Sequence, residues 1–275
     1  MSDDTAGGAA GEARPHARFA VDGHVATLTL DRPEAKNALS GEMLVRMADA
    51  WAEVDTNPGI RVVIVTGAGG DFCAGADLKE MAGGYGETEW TARFREDPDL
   101  HWKALLRQGA PSKPIVAAVE GYCVAGGTEI LQAMDIRVAG ESATFGVAEV
   151  RRGIFPLGGS TVRLSRQIPY TVAADMLLTG RMVSAQEAKD VGLIGHLVPD
   201  GAALETARDL ADQIAANGPL AVQAVLRSLR ETRELPESEG LALELEIGMP
   251  VYATNDAQEG PRAFAEKRPP NYTGT

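Results

Sequence analysis

Cysteine is nearly missing from this chain: two in 275 residues, Cys73 and Cys123, fifty positions apart. So few thiols exclude a disulfide framework and a metal knuckle, and both read as small buried apolar residues of a reducing cytosol. The four histidines, His16, His24, His101 and His196, are scattered without zinc-ligand spacing, so no metal site is expected. Positive charge is in deficit, with 26 Lys and Arg against 39 Asp and Glu and a formal net charge of −13. That balance argues against nucleic acid or an anionic membrane as the main partner, and an anionic ligand would have to find local basic groups. No uninterrupted apolar run approaches the length of a membrane span. The first residues, Met1 to Arg14, are acidic, rich in Ala and Gly and without an apolar h-region, so 1–16 is expected to be a disordered leader and not a signal peptide. Aromatic residues make up only 5%, yet two of the three tryptophans, Trp90 and Trp102, fall between Met81 and Ser112. That stretch, with Gly83-Gly84 and scattered charges, reads as a loop and helix insert covering a pocket.

What is present suits one large domain, or a domain with a small appendage, able to bury a full core. Val25 to Leu30 alternates as a strand closed by Asp31-Arg32-Pro33. Ser40 then takes the N-cap position of a helix carrying Met43, Leu44, Met47 and Trp51, which Asn57-Pro58-Gly59 stops. Val62 to Val65 is continuously apolar, as a strand buried on both faces would be. Pro114 to Val119 and Asp135 to Ala139 repeat the device, with a helix predicted from Gly126 to Met134 between them. Strand, turn and helix recurring in this way imply an α/β fold of stacked units. From about Ala202 onward strands stop, and helices are predicted around Leu204, Ala207, Leu210, Ala211 and Ile214, from Leu220 to Leu229, and from Leu241 to Ile247.

Two glycine-rich stretches each follow an apolar strand: Asp71-Phe72-Cys73-Ala74-Gly75-Ala76-Asp77-Leu78 and Gly121-Tyr122-Cys123-Val124-Ala125-Gly126-Gly127-Thr128-Glu129. A third segment, Phe145-Gly146-Val147-Ala148-Glu149, adds a second glutamate. Together they can set two backbone N–H donors and two carboxylates around one carbonyl, an arrangement suited to a thioester enolate. A helix N-terminus behind Gly126 would leave unpaired N–H groups for an oxyanion. The plainer reading of either loop alone is a tight turn that lets a helix pack on a sheet, and of either glutamate alone an ordinary surface carboxylate.

These three segments, in this order, resemble the crotonase superfamily, the enoyl-CoA hydratase/isomerase family, over about Phe19 to the C-terminus. The resemblance implies a spiral of ββα units over 17–201 followed by a helical oligomerisation domain over 202–275, assembled as a homotrimer or a dimer of trimers. It makes the N–H groups of Ala76 and Gly126 the oxyanion hole, and Glu129 and Glu149 the pair that holds a water across the double bond of a 2-enoyl-CoA. Which glutamate carries the proton stays open. Isomerases of this family generally keep only the carboxylate matching Glu149, so having both favours hydration. One departure stands against it: after Pro156 the hydratase pattern usually has a glycine, and this chain has Leu157.

By the same resemblance coenzyme A, part of the substrate and no separate cofactor, is held by main-chain groups near Ala35–Ala38 and Phe72–Ala74. Ala38 and Ala74 are therefore candidates, with Lys36, Lys79 and, from a neighbouring subunit, Phe264 and Lys267. For Lys36 and Lys79 a solvated surface charge is an equal reading. Rival motifs fail: Val65-Thr66-Gly67-Ala68-Gly69-Gly70 meets Asp71 where a dinucleotide loop needs glycine, and no Tyr-x-x-x-Lys occurs. Gly158-Gly159-Ser160-Thr161-Val162 lacks the second glycine of a nucleophile elbow. The expectation is a cytoplasmic enoyl-CoA hydratase of lipid metabolism, with an isomerase or another crotonase-type reaction on an acyl-CoA as alternative and a non-catalytic acyl-CoA binding subunit as the reading from another class.

Overall fold

The computed structural model describes residues 14–84 and 86–275. Most of the expected leader, 1–13, lies outside them. Of its last residues, Arg14 pairs with Asp31 at 2.7 Å, and His16 Nδ1 lies 2.7 Å from the Ser40 hydroxyl.

Among the described residues nine strands fall into two sheets. The larger is built from β1 (Ala17–Asp22), β2 (Val25–Leu30), β3 (Val62–Gly67), β4 (Ile115–Val119), β6 (Ile136–Gly140) and β9 (His196–Val198), in the order β1-β2-β3-β4-β6-β9. Only β1 and β2 pair antiparallel; every later pair in this sheet is parallel. The smaller sheet holds β5 (Tyr122–Val124), β7 (Thr144–Gly146) and β8 (Met182–Ser184).

The period of two along β3 and β4 divides the large sheet between two cores, which is why these strands read as unbroken apolar runs. On one face Val63, Val65, Ile115 and Ala117 meet α1 (Gly41–Thr56) through Met43, Met47, Trp51 and Val54. Ser40 caps this helix, accepting from the Met43 N–H at 3.2 Å. On the other face Val62, Ile64, Val116 and Val138 meet α9 (Ala203–Ala215). The buried stripe of α9 is Ala203, Ala207, Ala211 and Ala215, four residues apart, while Leu204, expected inward, is exposed. Alanine wins because a small side chain lets the helix lie close on a sheet already filled by valine and isoleucine.

The segment expected from 202 as an oligomerisation domain therefore begins with a helix that is itself a layer of the catalytic core. The helices beyond it are α10 (Pro219–Glu231), α11 (Glu237–Gly248) and α12 (Asn255–Ala265). Between β3 and β4, residues 78–104 form three short helices, α2 (Leu78–Gly83), α3 (Glu89–Glu96) and α4 (Leu100–Ala104). The expected insert is thus mostly helical. Trp51 of α1 anchors it, donating from Nε1 to the Ala104 carbonyl at 3.0 Å.

Candidate active site

The first of the three chemistry-bearing segments follows β3, while the second and third include β5 and the end of β7, and main-chain hydrogen bonds zip them together. Cys73 and Cys123, distant in sequence, face each other in an isolated parallel bridge. The Cys73 N–H donates to the Tyr122 carbonyl at 2.8 Å, and Val124 returns a bond to the Cys73 carbonyl at 2.9 Å. The Ala125 N–H reaches the Gly146 carbonyl at 2.7 Å, and the Thr128 hydroxyl bonds the Cys123 and Gly146 carbonyls. Both cysteines are buried free thiols, and burial pushes Cys73 up to about 12, so neither offers a thiolate.

This zip brings Ala76 and Gly126 together. A Cβ placed on Gly126 would lie 3.8 Å from the Ala76 nitrogen, and one on Gly75 would lie 3.2 Å from the Gly126 nitrogen. Among the described residues neither N–H donates to a protein acceptor. Ala125 enters the turn at φ 50°, a conformation costly for a residue with a Cβ. Gly127 behind it has no room for a Cβ, which would sit 2.5 Å from the Cys73 carbonyl oxygen. The helix that follows, α5 (Gly126–Leu131), is shorter than the predicted 126–134, because the chain turns to enter β6. Asp135 in that turn accepts the Ile115 N–H at 2.8 Å.

Glu129, in the first turn of α5, is 4% exposed, and Glu149, opening the short 3-10 turn after β7, is 8% exposed. One Glu149 oxygen, Oε2, is buried with no hydrogen-bond partner. Desolvation first, then the charge of Glu129, pushes Glu149 up from 4.5 to about 7. Burial also raises Glu129, but the N–H groups of Gly158, Gly159 and Ser160 and the Ser160 hydroxyl pull the other way. The Ser160 N–H donates to Glu129 Oε1 at 3.1 Å. The surroundings therefore push both carboxylates toward the neutral acid, but unequally, because more N–H donors offset the burial of Glu129 than that of Glu149.

Sequence reasoning missed the residues that manage Glu129. Gly158-Gly159-Ser160 registered only as a failed nucleophile elbow, yet Ser160 opens α6 (Ser160–Gln167) against the carboxylate, and Gln132 Nε2 bonds its hydroxyl at 2.8 Å. Gly158, not position 157, is where the packing demands glycine: a Cβ there would lie 2.6 Å from Glu129 Oε2. Leu157 has no positive φ and its side chain is 53% exposed, so its backbone is ordinary. Asn37 also went unread. Fully buried, it donates to the Ala68 and Asp71 carbonyls at 2.9 and 2.6 Å, fixing the first glycine-rich segment.

Of the expected coenzyme A contacts, Lys36, Ala38 and Ala74 come together beside the oxyanion pair. The Ala74 N–H donates to the Lys36 carbonyl at 2.9 Å, and Lys36 Nζ stands 3.9 Å from the centre of the exposed Tyr122 ring. Lys79 is exposed on the first turn of α2. Phe264, 87% exposed, and Lys267 lie on and just beyond α12, whose side-chain hydrogen bonds run to the C-terminal tail and not to this site. Among the described residues no cluster of His, Cys, Asp or Glu could hold a metal ion.

A sequence profile described as enoyl-CoA hydratase/isomerase matches residues 21–275. The chain belongs to the enoyl-CoA hydratase/isomerase family. It is 54% identical over 271 residues to the enoyl-CoA hydratase EchA19 of Mycobacterium tuberculosis, covering 95% of this chain and 97% of that one. It is 38% identical over 250 residues to the 2,3-dehydroadipyl-CoA hydratase of Escherichia coli, covering 91% and 95%. The crystal structure of enoyl-CoA hydratase EchA1 from Mycobacterium marinum superposes with a TM-score of 0.86 at 41% identity, over 95% of this chain and 100% of that one. The fold is accordingly the crotonase fold.

Proposed function

We propose that this chain is an enoyl-CoA hydratase in which Ala76 and Gly126 form the oxyanion hole, Glu129 is the base and Glu149 the acid. The observation that carries this assignment is the unequal pair: a buried Glu149 with an unpartnered oxygen beside a Glu129 held by N–H donors, with two free N–H groups nearby. In the cycle, ionised Glu129 takes a proton from water as the hydroxyl oxygen bonds to the β-carbon of the thioester. The C=C electron pair moves onto the carbonyl oxygen, where the Ala76 and Gly126 N–H groups hold the enolate. As the enolate collapses, protonated Glu149 delivers its proton to the α-carbon, and the carboxyls re-equilibrate with solvent. Water enters whole and no electron is gained or lost, so the cycle calls for no redox cofactor.

Coenzyme A is bound through the main chain at Ala38 and Ala74 and by Lys36 and Lys79, with Phe264 and Lys267 contributed across a subunit boundary. Exposed apolar side chains flank the catalytic segments, with Leu78 and Met81 beyond Ala76, Ile154 and Phe155 beyond Glu149, and Leu157 beside Glu129; they offer the acyl chain a surface. A separate groove of about 710 Å³ between α10, α11 and α12 is lined by Val225, Leu229, Leu245, Met249 and Tyr252. That groove is far more apolar than catalytic; we assign it to association of copies as a trimer or a dimer of trimers. The two buried free thiols fit the cytoplasm, and acyl-CoA chemistry fits lipid metabolism.

The deciding assay follows loss of the ultraviolet absorbance of crotonyl-CoA. Glu129→Gln and Glu149→Gln should each lower kcat on the order of a hundredfold to ten-thousandfold with CoA-ester binding nearly intact. A Glu129→Gln enzyme that kept its rate while Glu149→Gln was dead would replace this reading with the isomerase.

A further inference from the structure

The loop from Leu157 to Gly159 decides where Glu129 sits, and what holds the loop lies outside the catalytic segments. Its backbone packs against the carboxylate, since a Cβ at Gly158 would lie 2.6 Å from Oε2, and the residue that follows it donates to Oε1. Each of two successive loop carbonyls is held by an arginine. Arg107 Nε donates to the Leu157 carbonyl at 2.8 Å, and Arg163 Nη1 to the Gly158 carbonyl at 3.3 Å.

Both arginines tie the loop to the same point of the helical insert. Arg163 Nη2 donates to the Leu106 carbonyl, and the Arg107 guanidinium stands 5.1 Å from the centre of the Trp102 ring. Leu106 is 1% exposed with φ 53°, a left-handed conformation that leucine adopts only where its surroundings impose it. The turn presents the Leu106 carbonyl to Arg163 and the next side chain to Leu157. Neither guanidinium makes an ion pair within 4.0 Å among the described residues, so carbonyl capture is what they do. The titratable groups around this point are Glu129, Glu149, Arg163 and Arg107, with Arg137 behind Arg163. Arg163 is the cation whose charge reaches Glu129, and it favours the anion there.

We infer that Arg107 and Arg163 are positioning residues for the water-adding half of the reaction: they strap the Leu157–Gly159 loop to the Leu106 turn so that its N–H groups hold Glu129 in place. This rests on the hydratase reading above. It separates the two halves of the cycle, because the oxyanion hole and Glu149 are built from other segments and do not lean on the straps. A merely structural arginine would disturb both halves together.

The test uses the full-length protein and two reactions. Hydration of crotonyl-CoA needs Glu129 and a placed water. Exchange of the α-proton of butyryl-CoA with deuterium oxide, followed by proton NMR at pH 8, needs only Glu149 as carboxylate and the oxyanion hole. Arg163→Gln should lower hydration kcat about ten- to hundredfold, the scale of a small misplacement of a reacting group, with KM within about twofold and exchange within about threefold. Its acidic pH–rate limb should move upward, as Glu129 loses a neighbouring cation, and Arg163→Lys should recover part of the rate. Arg107→Gln, on an exposed side chain, should show the same split at smaller amplitude, and it keeps the test open if Arg163→Gln does not fold. Equal losses in hydration and exchange, or a rise in KM with kcat unchanged, would overturn the proposal. A wild-type enzyme that exchanges the α-proton but never hydrates would remove the hydratase reading and the proposal with it.

Discussion

Glu149 should make the folded protein less stable as pH rises through neutrality, and Glu149→Gln should remove that dependence. Folding raises its pKa from 4.5 to about 7, through burial and then through the charge of Glu129. For an acid whose folded-state pKa is raised, the stabilising contribution of its proton is complete below 4.5 and is lost as pH climbs through 7. A shift of that size corresponds to about 3 kcal/mol at full effect, and screening through the open cleft reduces it to about 2 kcal/mol. The variant keeps the shape and cannot ionise, and it relieves Glu129 of a like-charged neighbour, a change of the same sign. Urea unfolding at pH 5 and pH 8, at fixed protomer concentration, measures the difference. The wild type should lose about 2 kcal/mol more than the variant between the two pH values, so the catalytically dead enzyme gains on the active one at pH 8. Equal losses in the two proteins would refute the claim that Glu149 is buried against its own charge.

Gly127→Ala forces a Cβ to 2.5 Å from the Cys73 carbonyl oxygen, which is main chain and cannot rotate away. It should cost about 1–3 kcal/mol in unfolding free energy and depress turnover with it, because Gly127 directly follows Gly126 and Cys73 lies three residues before Ala76, so the strain falls on both oxyanion N–H donors. Leu157→Gly should retain crotonyl-CoA hydration and broaden acceptance of bulky acyl chains across a substrate panel, since the leucine backbone is unstrained and its side chain faces outward. A large rate gain on crotonyl-CoA alone would show that leucine spoils water placement. Lys267→Ala should raise KM for the CoA ester several-fold with the assembly intact by light scattering, whereas deletion from Leu241 onward should yield monomers or aggregates.

Much of this protein was legible from local pattern. The capped helix behind Ser40, the apolar runs of β3 and β4 and the switch to helices after 202 all follow from periodicities that a few neighbouring residues impose on themselves. The family and its fold were legible because three glycine-rich segments carry their chemistry in main-chain turns, and turns are written in local sequence. Other features depend on residues that meet only after folding. Nothing near Leu204 says that the alanine stripe beside it is the face the sheet wants; that is settled by the volume of the valines opposite. Leu157 stood out in sequence, but the position with no room for a side chain is Gly158, because the object that fills the space is Glu129, some thirty residues away in the chain. The inequality of Glu129 and Glu149 is likewise tertiary: two identical side chains acquire different proton affinities because one receives the N–H groups at the start of α6 and the other keeps a buried oxygen without a hydrogen-bond partner. Sequence determined which groups were available for the reaction; packing decided how far burial and hydrogen bonding shift the proton affinity of each.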